Sequence, residues 1–266
     1  MEKYFIMKEN KIIIYFPKML CVVLILILLI SCSKSASLWK NMGVQRKMQL
    51  AEELFAKKKY SKASEIYKQI TYGHKGSPYV QEAQYKYAEC LFQQKLYEDA
   101  KYEFNELITL YPDSPYIETA DYRIGVCWWK LSYPYPYDQS ETKNALSKFK
   151  QYLQLYPEGK YKKEAQNYIK KCKIRILKKK YENGYIYYKL HNYNSALLYL
   201  EEIIELNLHN EVDKDALYLA AKVYIEKKEY NKAKNLLQKF LDKYPTDKRI
   251  VEIQEMISKS DAKLMH

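Results

Sequence analysis

The feature that most constrains the fold is a short string that recurs after residue 44. Four copies share the pattern Tyr-x-x-Ala, and another small residue lies twelve positions before each alanine. The copies begin at Tyr60, Tyr97, Tyr193 and Tyr230. Apolar residues on both sides of each copy follow the i, i+3, i+4, i+7 spacing of amphipathic helices. The pattern therefore predicts pairs of helices, with one string between the two helices of each pair.

Small residues mark where the helices of each pair cross, because antiparallel helices about 8–10 Å apart have little room for side chains there. On the first helices they are Ala51, Ala88, Gly125, Gly184 and Ala221, and on the second helices Ala63, Ala100, Ala145, Ala196 and Ala233. Large residues one turn away fill the remaining space: Leu54, Leu91, Trp128, Tyr187 and Tyr224, then Tyr67, Phe104, Phe149, Leu200 and Leu237. The sequence thus predicts five helical hairpins.

Proline ends several of the second helices, at Tyr111-Pro112, Tyr156-Pro157 and Tyr244-Pro245. Together with the small residues and an aromatic or leucine residue four positions after each alanine, this punctuation resembles the tetratricopeptide repeat (TPR). The resemblance implies an all-α fold, a right-handed solenoid of five helical hairpins in two lobes.

Two irregularities interrupt the repeat. The third hairpin carries eight extra residues within Ser132–Glu141, which predict an exposed loop rich in proline and tyrosine. The interval from Ala145 to Gly184 is 39 residues, whereas Ala63 and Ala88 are 25 apart. The surplus of 14 residues is about four helical turns. It predicts that Lys160–Lys189 forms one long helix or two nearly coaxial helices.

A cluster of basic residues lies on this long helix. It favours either a solvated helix face or a contact with an acidic partner or anionic headgroups, and the sequence leaves both open. The cluster consists of Lys170, Lys171, Lys173, Arg175, Lys178, Lys179 and Lys180.

The N-terminus predicts export and anchoring. Residues 19–30 are apolar, follow four lysines, and are too few for a bilayer-spanning helix of about 20 residues. The run ends in Leu29-Ile30-Ser31-Cys32, which resembles the lipobox of bacterial lipoproteins. The resemblance implies acylation of Cys32 and membrane attachment through this N-terminal lipid, and Ser33 implies the outer membrane. The alternative is a cysteine that follows a signal peptide or anchor by chance.

Composition and motifs argue against several functional classes. Six glycines and the lack of dinucleotide or P-loop motifs argue against nucleotide enzymes. The net charge of +13 comes from 41 dispersed lysines and only four arginines, so no nucleic-acid partner is expected. The four histidines are unclustered and no C-x-x-C motif occurs, so neither a metal site nor a cofactor is expected. We expect no catalytic residues and no enzyme activity.

The first helices of a helical-repeat solenoid line its concave face. Six residues at equivalent positions of the first three repeats predict a groove for an extended or hairpin peptide. They are Met48, Phe55, Tyr85, Phe92, Tyr122 and Trp129. The alternative is that these aromatic rings pack between the repeats.

The lipobox, five TPR units, the insertion and the long link together resemble the BamD family of lipoproteins, which assemble β-barrels in the bacterial outer membrane. The resemblance extends from Cys32 to about Met256. It implies a periplasm-facing protein that binds unfolded outer-membrane proteins and docks on the barrel-forming assembly subunit. The fourth repeat lacks a terminal proline, so the resemblance does not assign the docking residues.

The resulting organisation has five parts: 1–31 signal peptide, 32–43 lipidated tether, 44–159 repeats one to three (substrate lobe), 160–257 linking helix with repeats four and five (docking lobe), and 258–266 tail. An alternative function is an envelope TPR adaptor lipoprotein for peptidoglycan or cell-division proteins.

Overall fold

A computed structural model describes residue 39 and residues 41–265 of the chain. This described part contains eleven α-helices and no strand, so the predicted all-α fold is confirmed. The predicted signal peptide and the predicted acylation site Cys32 lie outside the described residues. No helix among the described residues has the length and apolarity to cross a membrane. The helices are α1 Val44–Ala56, α2 Tyr60–Gly73, α3 Val80–Gln93, α4 Tyr97–Leu110, α5 Ile117–Leu131, α6 Ser140–Leu155, α7 Lys162–Lys189, α8 Tyr193–Glu205, α9 Glu211–Glu226, α10 Tyr230–Lys243 and α11 Ile250–Leu264.

The described residues form two compact units, which divide between Gln94 and Lys95. In the first unit, α2 packs against both α1 and α3. In the second unit, each helix from α4 to α10 packs against the next one along the chain. This serial packing of helices is that of a helical-repeat solenoid. The predicted lobes 44–159 and 160–257 do not coincide with these units, and their separate roles stay predictions.

The ten small residues are buried, as the repeat pattern predicts. A Cβ atom on Gly125 would come within 2.8 Å of Phe149 Cε1, and one on Gly184 within 3.1 Å of Leu200 Cδ2. The hairpins therefore approach so closely that even a methyl group is crowded at these two crossings. The large side chains predicted on the second helices are all completely buried: Tyr67, Phe104, Phe149, Leu200 and Leu237.

The Tyr-x-x-Ala strings begin the second helices rather than forming the turns. Two residues before each tyrosine, the backbone adopts a left-handed conformation with φ between 56° and 65°. At the first of these turns, the Lys59 N–H donates to the Leu54 carbonyl at 2.8 Å, which closes the end of α1. The left-handed residues are Lys58, Lys95, His191 and Lys228.

The two irregularities are confirmed with small shifts in their bounds. Helix α7 is a single helix of 28 residues that begins at Lys162. The insertion forms a loop over residues 132–139, because α6 already begins at Ser140. The side-chain amide of the buried Gln139 donates to three carbonyls of this loop, those of Tyr133, Pro134 and Tyr137. The loop is therefore organised around a buried polar side chain.

Gly125→Ala is expected to destabilise the second unit. The new Cβ would press on the Phe149 ring, which cannot easily move because it stacks on Tyr168 at 4.8 Å between centroids. Overpacking costs about 1–3 kcal/mol, whereas alanine gains only about 1 kcal/mol over glycine within a helix. We expect a net loss of roughly 1–2 kcal/mol, measured by urea unfolding.

Gly184→Ala is the matched control. Its new Cβ would lie 3.1 Å from Leu200 Cδ2 and Cγ, compared with 2.8 Å from Phe149 Cε1 at Gly125, so the loss of stability is expected to be smaller than for Gly125→Ala. A Gly125→Ala protein as stable as the wild type would contradict the close approach of α5 and α6.

Candidate protein-binding surfaces

Three of the predicted groove residues lie in the first unit as half-buried rings: Phe55 on α1, and Tyr85 and Phe92 on α3. Tyr85 and Phe92 are seven residues apart, so they share one face of α3. Lys86 Nζ lies 5.0 Å from the centroid of the Phe55 ring, which places α1 beside α3. We call Phe55, Tyr85 and Phe92 the first-helix aromatic patch.

Polar and aromatic neighbours hold the patch in place. The Phe55 ring packs edge-on against Tyr60, with 5.3 Å between centroids. The Tyr85 hydroxyl donates to Glu89 Oε1 at 3.4 Å. Because both rings remain half-buried, the patch keeps aromatic surface available to a partner.

Two other predicted groove residues are buried. Met48 lies in the core of the first unit, and Tyr122 lies in the core of the second. The Tyr122 ring stacks face to face on Tyr161, with 4.2 Å between centroids. Burial raises the pKa of the Tyr122 hydroxyl to about 12. These two side chains pack the fold and offer little surface to a peptide.

The sixth residue, Trp129, carries a cation on its indole face. The guanidinium of Arg175 lies 3.7 Å from the Trp129 ring centroid, and the Tyr168 ring packs edge-on at 5.9 Å. Arg175 Nη1 also donates to Ser132 Oγ at 2.6 Å. The sequence did not predict this contact. Trp129 lies in the hairpin that carries the insertion and Arg175 lies 46 positions later in the long helix, so no repeat spacing links them.

The basic cluster of α7 divides between two sides of the helix. Lys171, Arg175 and Lys178 follow i, i+4, i+7 spacing and form one stripe, in which Arg175 and Lys178 contact the loop 132–139 and Lys171 lies near the Tyr168 ring of the same helix. Lys178 Nζ lies 5.6 Å from the Tyr135 ring in this loop. Lys180 forms an ion pair with Glu202 of α8. The tertiary structure thus separates lysines that the sequence presents as one cluster.

The other side of α7 borders an open groove of about 380 Å³. Lys170 and Lys173 line it together with apolar side chains of the same helix and residues of the α8–α9 loop. These further lining residues include Ile169, Ile174, Leu177 and Leu208.

A second open groove, of about 450 Å³, lies between α9, the start of α10 and α11. Ile225, Tyr230 and Met256 supply its apolar lining. Its charged residues carry both signs: Lys222, Glu226, Glu252, Lys259 and Lys263. We call this the C-terminal groove.

A cluster of charges fixes α11, one wall of the C-terminal groove. The Asp247 carboxylate accepts bonds from Arg249 Nε at 2.9 Å, from the Arg249 backbone N–H at 3.0 Å, and lies 2.8 Å from Lys214 Nζ. These bonds, foremost those from Arg249, hold the pKa of Asp247 well below its usual range. Arg249 Nη1 also donates to Asp215 of α9 at 2.9 Å, so the cluster joins the start of α11 to α9.

Asp247→Asn is expected to remove a contribution to stability that depends on pH. The lowered pKa means that the folded state favours the carboxylate. This contribution is complete above about pH 4 and is lost as the pH falls through the lowered pKa. The difference in unfolding free energy between wild type and Asp247→Asn should therefore shrink from pH 7 to pH 3, as measured by urea unfolding.

The control is Asp242→Asn, on the exposed face of α10, where the carboxylate accepts a hydrogen bond from Gln238. If Asp242→Asn and Asp247→Asn show the same pH dependence, the cluster around Asp247 does not stabilise the start of α11.

Residues able to form a metal site do not come together in the described part of the chain, where no group of three or more His, Cys, Asp or Glu is found. The thiols of Cys90, Cys127 and Cys172 are buried in helices and form no disulfide with one another.

Comparison with known proteins finds two family models that match. The model "YfiO: Outer membrane lipoprotein" matches residues 44–182, just over half of the chain, and a tetratricopeptide-repeat model matches residues 215–247. The comparison with curated proteins finds no match.

Among solved structures, the chain is similar to several TPR proteins. The thermophilic TPR protein TTC0263 of Thermus thermophilus is 15% identical over 84% of this chain and 100% of that chain, with a TM-score of 0.36. The TPR domain of P58(IPK) is 19% identical over 83% of this chain and 55% of that chain, with a TM-score of 0.41. The TPR2AB domain of yeast Sti1, solved as a pHSP90 complex, is 15% identical over 82% and 98%, with a TM-score of 0.43.

Proposed function

Because this chain belongs to the YfiO family of outer membrane lipoproteins, the BamD lipoprotein family, we propose that it assembles β-barrel proteins in that membrane. Its families are generally non-catalytic scaffolds for protein–protein interactions. In this role the chain binds unfolded outer-membrane proteins on one surface and docks on the barrel-forming assembly subunit with another.

The observation that carries the proposal is the first-helix aromatic patch. Phe55, Tyr85 and Phe92 are half-buried on neighbouring helices, so their positions are fixed while part of each ring remains exposed. Strands of transmembrane barrels alternate apolar and polar residues and are rich in aromatic residues near the membrane interfaces. Such strands present apolar and aromatic side chains that fit onto fixed aromatic rings.

The patch favours weak and reversible capture. Each good aromatic anchor contributes about 1–2 kcal/mol, and a few such anchors hold a peptide without trapping it. This suits a step that transfers an unfolded precursor to the subunit that folds it. Unpaired strands exposed before barrel closure tend to aggregate, so a membrane-tethered binding surface is useful at this step.

We assign substrate contact to the aromatic patch rather than to all six residues of the predicted groove. Met48 and Tyr122 are buried, and Arg175 stacks on Trp129. A peptide at Trp129 would therefore have to share the ring with Arg175 or displace it.

The C-terminal groove is our candidate for docking on the barrel-forming subunit. It lies within residues 160–257 except for its last lining residues on α11. Its lining is apolar, with charges of both signs around it. The Asp247–Arg249 cluster fixes the helices that bound it. Such a mixture of apolar and charged side chains is common in protein interfaces.

We propose that Cys32, outside the described residues, is acylated and holds the protein on the periplasmic side of the outer membrane. Three acyl chains, which lipoproteins of this type carry, would anchor the body stably, since two chains already suffice.

Phe55→Ala combined with Phe92→Ala is expected to weaken peptide binding. Loss of two anchors worth about 1–2 kcal/mol each lowers affinity by roughly 30-fold or more. The measurement is fluorescence polarisation of a labelled peptide with the alternating pattern of a barrel strand, titrated with the full chain in detergent.

Tyr72→Ala is the matched control, because Tyr72 is an aromatic residue of the same unit that is 45% exposed but lies on the second helix α2. It should leave affinity unchanged, and a scrambled peptide should bind more weakly to the wild type. Equal affinities of wild type and the double variant, with unchanged circular dichroism, would assign the rings to packing alone.

Purification of the chain from detergent-solubilised outer membranes is expected to recover the barrel-forming assembly subunit, identified by mass spectrometry. If a peptidoglycan synthase or division protein is recovered instead, the chain is an envelope adaptor. The mass of the purified chain tests the anchor independently, because the proposal requires an acylated chain that begins at Cys32.

A further inference from the structure

The loop 132–139 exposes three tyrosines. Tyr133, Tyr135 and Tyr137 are 60%, 41% and 65% exposed, whereas the tyrosines of the hairpin cores are buried or half-buried. The rings of Tyr133 and Tyr137 lie beside each other, with 6.3 Å between centroids. Exposed aromatic rings grouped in this way are typical of a surface that contacts a partner.

The loop is held in one conformation, so its tyrosines form a defined surface. Gln139 is buried beneath it, and Thr142 Oγ1 donates to Gln139 Oε1 at 2.7 Å. Arg175 of α7 donates to Ser132 Oγ and, at 3.4 Å, to the Tyr133 carbonyl. The loop is therefore fixed from below by α6 and from the side by α7.

Cations lie next to these tyrosines. The stripe on α7 brings Lys178 to 5.6 Å from the Tyr135 ring, and Lys171 and Lys178 are both exposed. The acidic residue of the loop, Asp138, accepts the backbone N–H of Ser140 at 2.9 Å and so caps the start of α6. The surface thus combines exposed tyrosine rings with exposed lysines.

We propose that this surface, the loop 132–139 with the α7 stripe, rests on the anionic headgroups of the membrane. Tyrosine rings are enriched at membrane–water interfaces, where the ring meets apolar chains and the hydroxyl meets the headgroups. Lysines near an anionic bilayer are attracted to it electrostatically. The family of this chain places it at the outer membrane, so such a surface is within its reach.

The shape of the surface favours a membrane over an acidic peptide. Peptides commonly dock in grooves or along exposed sheet edges, where the protein holds their anchor side chains. Here the tyrosines protrude, with Tyr133 and Tyr137 more than half exposed. Protruding rings beside exposed lysines match the broad surface of a bilayer, and this contact would orient the second unit on the membrane. The inference does not depend on peptide binding or on the docking partner.

The test places a fluorescent probe in the loop of the full chain. Tyr137→Cys is labelled with a thiol-reactive NBD dye, whose emission shifts to shorter wavelength in apolar surroundings. The matched control is Tyr102→Cys, since Tyr102 of α4 belongs to the same unit and is 58% exposed. Cys21 and Cys32 are replaced by serine in every labelled chain, and the buried Cys90, Cys127 and Cys172 should not react, which the same chain without the added cysteine checks.

Each labelled chain is added to vesicles of phosphatidylcholine, with or without phosphatidylglycerol, and flotation is recorded alongside the spectrum. We expect a shorter-wavelength emission for the probe at 137, and not at 102, only when phosphatidylglycerol is present. The shift should be lost with Lys171→Glu plus Lys178→Glu. It should also fall as NaCl rises from about 0.1 M to 1 M, because the screening length drops from about 10 Å to about 3 Å.

Three results would overturn the inference. The first is an unchanged spectrum at 137 on anionic vesicles, whether or not the chain floats with them. The second is an equal shift at 137 and 102. The third is a shift at 137 that requires added outer-membrane proteins, which would make the loop a protein-docking surface instead.

Discussion

The close approach of paired helices is the constraint on which the rest of the structure depends. At Gly125 and Gly184 the facing side chains leave almost no space for a Cβ atom, and the alanines of the other crossings are completely buried. Helices this close exclude large side chains from the crossing, so the aromatic residues must pack one turn away. The same packing determines which face of each first helix is not covered by the second helix of its pair. On that face, Phe55 and Phe92 keep part of their rings exposed.

The repeated part of the fold could be predicted from the sequence because its determinant is local. A small residue such as Ala51 or Ala63 recurs at a fixed interval, and each crossing requires only its own pair of helices. The long helix α7 could be predicted for the same reason, since it follows from counting residues between Ala145 and Gly184. The left-handed turns could not, because Lys58 and Lys228 occupy positions where glycine would have been the recognisable signal.

The candidate site was only partly predictable, since exposure depends on neighbours that are distant in sequence. Equivalent repeat positions placed Tyr122 and Trp129 in one groove with Phe55 and Phe92. In the structure, Tyr161 stacks on Tyr122, and Arg175 stacks on Trp129. Both covering residues follow the third hairpin, where the chain leaves the 37-residue period. Repeat spacing identifies equivalent backbone positions, but it does not identify which side chain covers them.

The two departures from the repeat meet in space, and this gives the second unit its least repetitive surface. The insertion supplies exposed tyrosines, the lengthened helix α7 supplies a stripe of cations, and Arg175 joins them through Ser132 and Tyr133. Without the insertion, the stripe on α7 would lack the exposed tyrosines beside it. Without the lengthened helix, the loop tyrosines would lack the neighbouring cations. The lysines behind the net charge of +13 are thus not equivalent, because Lys178 lies over the ring of the exposed Tyr135 whereas Lys180 pairs with Glu202. A partner that responds to charge alone would find many sites on this chain, whereas this surface also suits a partner that needs exposed aromatic rings.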